Sequence, residues 1–141
     1  MSYERLLHEH DRIDRALARL QRLTDAQVPD VPAVSCALSD LAGELVDHLA
    51  HEDSFIYPRM IESSVGHVAS IARGFVDEFA ALSEEWKIYI VEWLPENIAG
   101  DWDGFKRDTD AILARLAARV RAENSVLYSA ALNHGLIPLR D

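Results

Sequence analysis

A chain of 141 residues, 49% hydrophobic and 27% charged, has the length and composition of one soluble globular domain with a real core. Its formal net charge of −10 argues against a nucleic-acid backbone or an anionic membrane surface as partner, and reads most simply as solubility. The single Cys36 excludes an internal disulfide and fits a reducing cytoplasm, MSYERLLHEHDRID carries no secretory-signal core, and no apolar run nears the ~20 residues that span a bilayer.

Four segments with helical periodicity follow one another, parted by short breakers. The first runs from about Ser2 to Thr24, with Leu6, His10, Ile13, Leu17 and Leu20 on one face. The two prolines of DAQVPDVP end it. The second is expected to start near Ser35 as N-cap and to turn Leu38, Leu41, Leu45, His48, Glu52 and Ile56 inward, with Pro58 bending or ending it. Ser63 or Ser64 is the expected cap of the third, whose stripe reads Val68, Ala72, Phe75, Phe79, Leu82, Trp86, Ile90 and Trp93. LPENIAGD breaks that pattern. Asp101 or Asp103 then caps the fourth, which presents Phe105, Thr109, Ile112, Leu116, Glu123 and Leu127. No segment alternates with period two, so the expectation is an all-α, up-down-up-down four-helix bundle, a single domain over residues 1–141 with 131–141 as a tail.

At about 100° per residue the inward faces can be computed, and they are not purely apolar. His10 borders the first stripe, Glu52 lies within the second with His48 at its edge, and Arg119 and Glu123 lie within the fourth. His8, His51 and Glu44 point elsewhere. The third helix supplies aromatic residues and no central polar group. A lone histidine on an apolar face is usually a hydrogen-bonded core residue, and an i,i+4 His–Glu pair is commonly a local contact. Three helices placing imidazole or carboxylate on the converging face is a stronger signal, because such groups are costly to bury unless something binds them.

HEHDRIDRAL in the first helix, ELVDHLAHEDSFIYP in the second and LAARVRAENSVLY in the fourth resemble the hemerythrin-like HHE cation-binding domains. The most specific piece is H-x-x-x-E-D-x-x-I-Y-P from His48 to Pro58. The resemblance covers nearly the whole chain in helix number, order and length. It implies a four-helix bundle with a non-haem di-iron centre, in which His10 and His48 match the histidines of one iron and Glu52 and Glu123 match the bridging carboxylates. The three histidines of the other iron have no counterpart. Arg119 stands where the fourth helix should supply one, and Phe75 and Phe79 fall where the third should supply two.

Two expectations follow. In one, a single iron, manganese or zinc ion is held by His10, His48, Glu52 and Glu123, with Arg119 as charge substitute for the second metal; the protein binds a cation or a small diatomic ligand, or senses metal or redox state. Reversible dioxygen carriage of the family's usual kind needs two irons, so a standard oxygen carrier is not expected. In the other, no metal binds, Arg119 pairs with both carboxylates, and the bundle is an interaction or regulatory module using its aromatic third helix and the tail ALNHGLIPLRD. No phosphate loop, nucleophile elbow or evident partner for Cys36 points to an enzyme.

Overall fold

The computed structural model describes residues 1–141, and every regular element in it is helical. α1 (Tyr3–Asp25) is capped by Ser2, whose hydroxyl accepts the Arg5 N–H at 3.1 Å and so pairs one of the donors a helix leaves free at its start. Leu6, His10, Ile13, Leu17 and Leu20 are all buried, as a three-to-four-residue spacing requires.

α2 (Val31–His51) begins earlier than Ser35. Asp30 accepts the Ala33 N–H at 3.1 Å, and Pro32 sits in the first turn, where a missing N–H costs nothing. The interruption expected at Pro58 takes the form of a π-helical turn over Glu52–Ile56, after which the chain continues as α3 (Tyr57–Ile61). Neither Ser63 nor Ser64 caps α4 (Gly66–Glu92). Val65 occupies that position, and its own N–H is taken by the Ser63 hydroxyl at 3.2 Å.

LPENIAGD is not a plain break, because Pro95–Gly100 forms a short helix, α5, that buries Ile98. Asp101 caps α6 (Trp102–Ala122), accepting the Gly104 N–H at 3.0 Å; a Cβ on Gly104 would meet the Asp101 carboxylate at 2.3 Å, so the cap needs glycine there. A second π-helical turn, Glu123–Leu127, leads into α7 (Tyr128–Asn133). Gly135 then adopts the left-handed conformation (φ 68°) and the tail returns to α1, where Tyr3 and Glu4 donate their N–H groups to the Pro138 and Leu139 carbonyls. Ile137 is buried by this return, and the tail is therefore packed rather than free.

Side-chain contacts set the direction of neighbouring rods. Arg12–Glu44 and Arg19–Asp40 pair α1 with α2, Gln21–Asp110 and His10–Asn124 pair α1 with the α6–α7 rod, and Tyr89–Thr109 and Trp93–Asp108 pair α4 with α6. In each pair the residue numbers rise on one rod as they fall on the other, so the rods are antiparallel.

Two apolar cores result. One gathers Ile13, Leu17, Leu41, Leu45, Leu82, Trp86 and Leu116; the other gathers Leu6, Ile56, Met60, Phe75, Leu127 and Ala131. Each fully buried aliphatic side chain contributes about 1.5–3 kcal/mol. Along every rod the changeover between the cores falls at the same level: after His10 on α1, at His48 and Glu52, at Phe79, and at Glu123. A polar layer lies between two hydrophobic ones. That layer is the site.

Candidate metal centre

One ligand atom from each of His10, His48, Glu52 and Glu123 lies within 4.8 Å of the others, and all four residues are buried. The two histidines face each other, Nε2 to Nε2, at 2.9 Å. Glu123 Oε1 is 3.1 Å from His10 Nε2, and Glu52 Oε1 is 3.1 Å from His48 Nε2.

The outer edges of the imidazoles explain why the inner edges converge. His10 Nδ1 donates to Asn124 Oδ1 at 2.6 Å, and His48 Nδ1 donates to Glu9 Oε1 at 2.9 Å. Glu9 is held in turn by His51 Nδ1 on its other oxygen. With both Nδ1 atoms committed outward, both Nε2 atoms are left to face the same point, the arrangement by which a ligating histidine is fixed in tautomer and orientation.

Arg119 closes the opposite side. Its Nε lies 3.4 Å from Glu123 Oε2 and its Nη2 3.6 Å from Glu52 Oε1, while its guanidinium stands 5.0 Å over the Phe79 ring. Glu123 therefore offers one oxygen to the imidazoles and the other to Arg119. Phe75 packs against Phe79, with 5.7 Å between ring centres, on the same flank.

Burying two carboxylates together splits their behaviour. Burial and the neighbouring Glu123 push the Glu52 carboxyl up to about 8. Burial would raise Glu123 too, but hydrogen bonds from Glu52, His10 and His48 and the charge of Arg119 hold it well below the usual carboxylate range. For His48 burial lowers the value, and the Glu123, Glu52 and Glu9 carboxylates outweigh it, pushing the imidazole up to about 10. Protons on these groups supply positive charge that a metal ion would otherwise bring.

Two tyrosines complete the layer, and sequence reasoning passed over both. Tyr128 Oη lies 2.9 Å from His10 Nε2, 3.1 Å from His48 Nε2 and 3.1 Å from Glu52 Oε2. Tyr57 donates to Glu123 Oε2 at 3.2 Å. Their placement depends on the π-helical turns. A residue five positions on lies about 140° round an α-helix, whereas a π turn brings it back toward the starting face. Tyr57 and Tyr128 each follow a glutamate by five and donate their N–H to that glutamate's carbonyl. The signal was present as a short repeat, H-x-x-x-E-x-x-x-x-Y from His48 and R-x-x-x-E-x-x-x-x-Y from Arg119. Glu9 and Asn124, the outer partners, carry no such mark.

The donor set fits a metal ion on two observations. Two nitrogens 2.9 Å apart can both lie about 2.1 Å from a single ion, so the imidazole pair could share one. Glu52 Oε1 is fully buried without a well-formed hydrogen bond, although His48 and Arg119 flank it. A buried carboxylate oxygen with no hydrogen-bond partner, 3.1 Å from the His48 imidazole nitrogen, has a free lone pair for a cation.

The fold and the site thus define an all-helical protein with a buried His/Glu cluster that could hold a metal. Residues 1–131 match the model of the hemerythrin HHE cation binding domain, and the chain belongs to that family. No curated protein and no solved structure matches it.

Proposed function

We propose that this is a hemerythrin-like protein with a reduced centre, in which one iron ion (or manganese or zinc) is held by His10, His48, Glu52 and Glu123 while Arg119 replaces the second metal. The alternating directions of the rods support an up-down-up-down four-helix bundle, and the packed tail supports one domain over residues 1–141. The convergence of four buried donor atoms within 4.8 Å of one another, with both imidazole Nδ1 atoms bonded outward, carries the reading.

A bound iron would supply Lewis acidity and a one-electron redox change. The chain's own residues do the rest. Glu9 and Asn124 orient the imidazoles, Tyr57 and Arg119 hold the far oxygen of Glu123, and the two apolar cores exclude water. Beside His48, Glu123 and Arg119 lies a cavity of about 30 Å³ walled by Leu45, Leu49, Leu82, Trp86 and Leu116. That volume exceeds the roughly 10–15 Å³ one water needs, so it suits a diatomic molecule and nothing much larger. The role this supports is binding of a cation or small ligand, or sensing of metal or redox state, rather than catalysis. The unpaired Cys36 and the lack of any helix long and apolar enough to cross a membrane support a cytoplasmic protein.

A metal-free bundle stabilised by Arg119 is the competing reading, and the ion pairs at 3.4 and 3.6 Å favour it. They leave Glu52 Oε1 unsatisfied, however, and the proposed contact surfaces are occupied: Trp86 and Trp93 are buried and the tail is docked. Metal uptake by the wild type and His48→Ala separates the two. Stoichiometric uptake lost on substitution supports the metal site; equal occupancy in both proteins removes His48 from it.

A further inference from the structure

We propose that the Tyr128 hydroxyl oxygen is a fifth ligand of the ion and that, as a phenolate, it makes the centre selective for ferric iron. This inference rests on the single-metal reading above and extends it to the oxidation state the site prefers.

Three donor atoms of the centre surround the Tyr128 hydroxyl. Tyr128 is completely buried, and its oxygen is 2.9 Å from His10 Nε2 and 3.1 Å from both His48 Nε2 and Glu52 Oε2. A phenol has one proton to give, and the carboxylate takes it. Both imidazole nitrogens then face the same phenol oxygen while also facing each other at 2.9 Å. With Nδ1 of each ring bonded outward, Nε2 is the ring atom that each imidazole turns toward the phenol oxygen. Four donor atoms from three rods converge on one point, and one cation there satisfies them together.

The tyrosine is also held for that purpose. Its ring stacks on His10, with centres 4.9 Å apart and planes 23° from parallel, and the preceding π-helical turn carries the oxygen onto the glutamate face. Tyr57 supplies the comparison. It follows its own glutamate by the same five residues, yet its hydroxyl meets only Glu123 Oε2, on the side Arg119 occupies. One member of the pair lies at the imidazole pole and the other at the guanidinium pole. Only Tyr128 is placed to ligate.

A phenolate and two carboxylates are hard, anionic oxygen donors, and such donors favour iron(III) over iron(II). On coordination the phenol proton leaves to solvent and the oxygen lone pair forms the bond to iron. No electron is transferred.

The test loads the 141-residue chain with ferric citrate and reads two quantities, iron bound per chain and visible absorption. The wild type should bind iron and show an intense phenolate-to-iron(III) charge-transfer band. Tyr57→Phe should keep the band, and Tyr128→Phe should lose it and bind ferric iron about tenfold or more weakly. Iron bound by the wild type with no such band overturns the Tyr128 assignment and leaves the metal site standing, as does a band that survives Tyr128→Phe. No iron bound by the wild type overturns the metal site itself and this assignment with it. Should Tyr128→Phe fail to fold, ring-deuterated tyrosine in the wild type serves instead: resonance Raman lines excited within the band must shift, and lines that do not shift overturn the assignment.

Discussion

Glu52 and Glu123 are related by exchange: each opens a π-helical turn, each precedes a tyrosine by five residues, and each receives the hydroxyl of the other's tyrosine. The α2–α3 rod and the α6–α7 rod are thereby cross-linked at the polar layer. The exchange is broken at one matching position, four residues before each glutamate, where one rod has His48 and the other Arg119. That difference sets an imidazole pole against a guanidinium pole.

Arg119→Leu tests the guanidinium pole. The change leaves Glu123 Oε2 with only the Tyr57 hydroxyl and removes the one fixed cation beside two buried carboxylates. The metal-free protein should lose about 3 kcal/mol of stability, read from chemical denaturation, because an uncompensated buried charge remains. An unaltered unfolding midpoint would show that Arg119 neutralises nothing.

Glu9→Ala tests the orientation of the imidazole pole without touching a proposed ligand. His48 Nδ1 loses its acceptor, and the ring is free to rotate or change tautomer. Metal affinity should drop by roughly 10–100-fold, as it does when the outer partner of a ligating histidine is removed, while the helical content stays unchanged. Wild-type affinity in this variant would contradict the tautomer argument.

The protons held in the layer give a pH dependence whose sign can be worked out. Glu52 rises from its ordinary 4.5 to about 8, so between these values the folded chain keeps a proton the unfolded chain has lost, and stability falls as pH rises. His48 rises from 6.5 to about 10; its contribution is complete below 6.5 and is lost toward 10. Glu123 is lowered, so its contribution is present above 4.5 and is lost on acidification. The metal-free protein should therefore have a lower urea midpoint at about pH 8.5 than at about pH 6. Metal binding displaces the same protons, so affinity should rise over that interval. A flat midpoint, or affinity falling with pH, would contradict this charge assignment.

Much of this arrangement was legible in the sequence, and the exceptions have physical causes. The stripe Leu6–His10–Ile13–Leu17–Leu20 and the inward positions of His48, Glu52 and Glu123 follow from a period of about 3.6 residues, which the helices keep. The start of α2 was misplaced because Pro32 reads as a breaker, although in a first turn it is favourable. α5 was missed for the same reason at Pro95. Tyr57 and Tyr128 were overlooked because the same period turns them away from their glutamates; only the π-helical turns restore them, and hydrophobic periodicity does not record such turns. Glu9 and Asn124 were invisible because their roles depend on which way an imidazole ring faces.

In the proposed centre one of two cation poles keeps its metal and Arg119 occupies the other. Elemental analysis of protein purified from iron-supplemented medium, or reconstituted anaerobically and desalted, tests it most directly. About one metal ion per chain is the expected result. Two ions per chain would contradict the role given to Arg119, and none after reconstitution would contradict the site formed by His10, His48, Glu52 and Glu123.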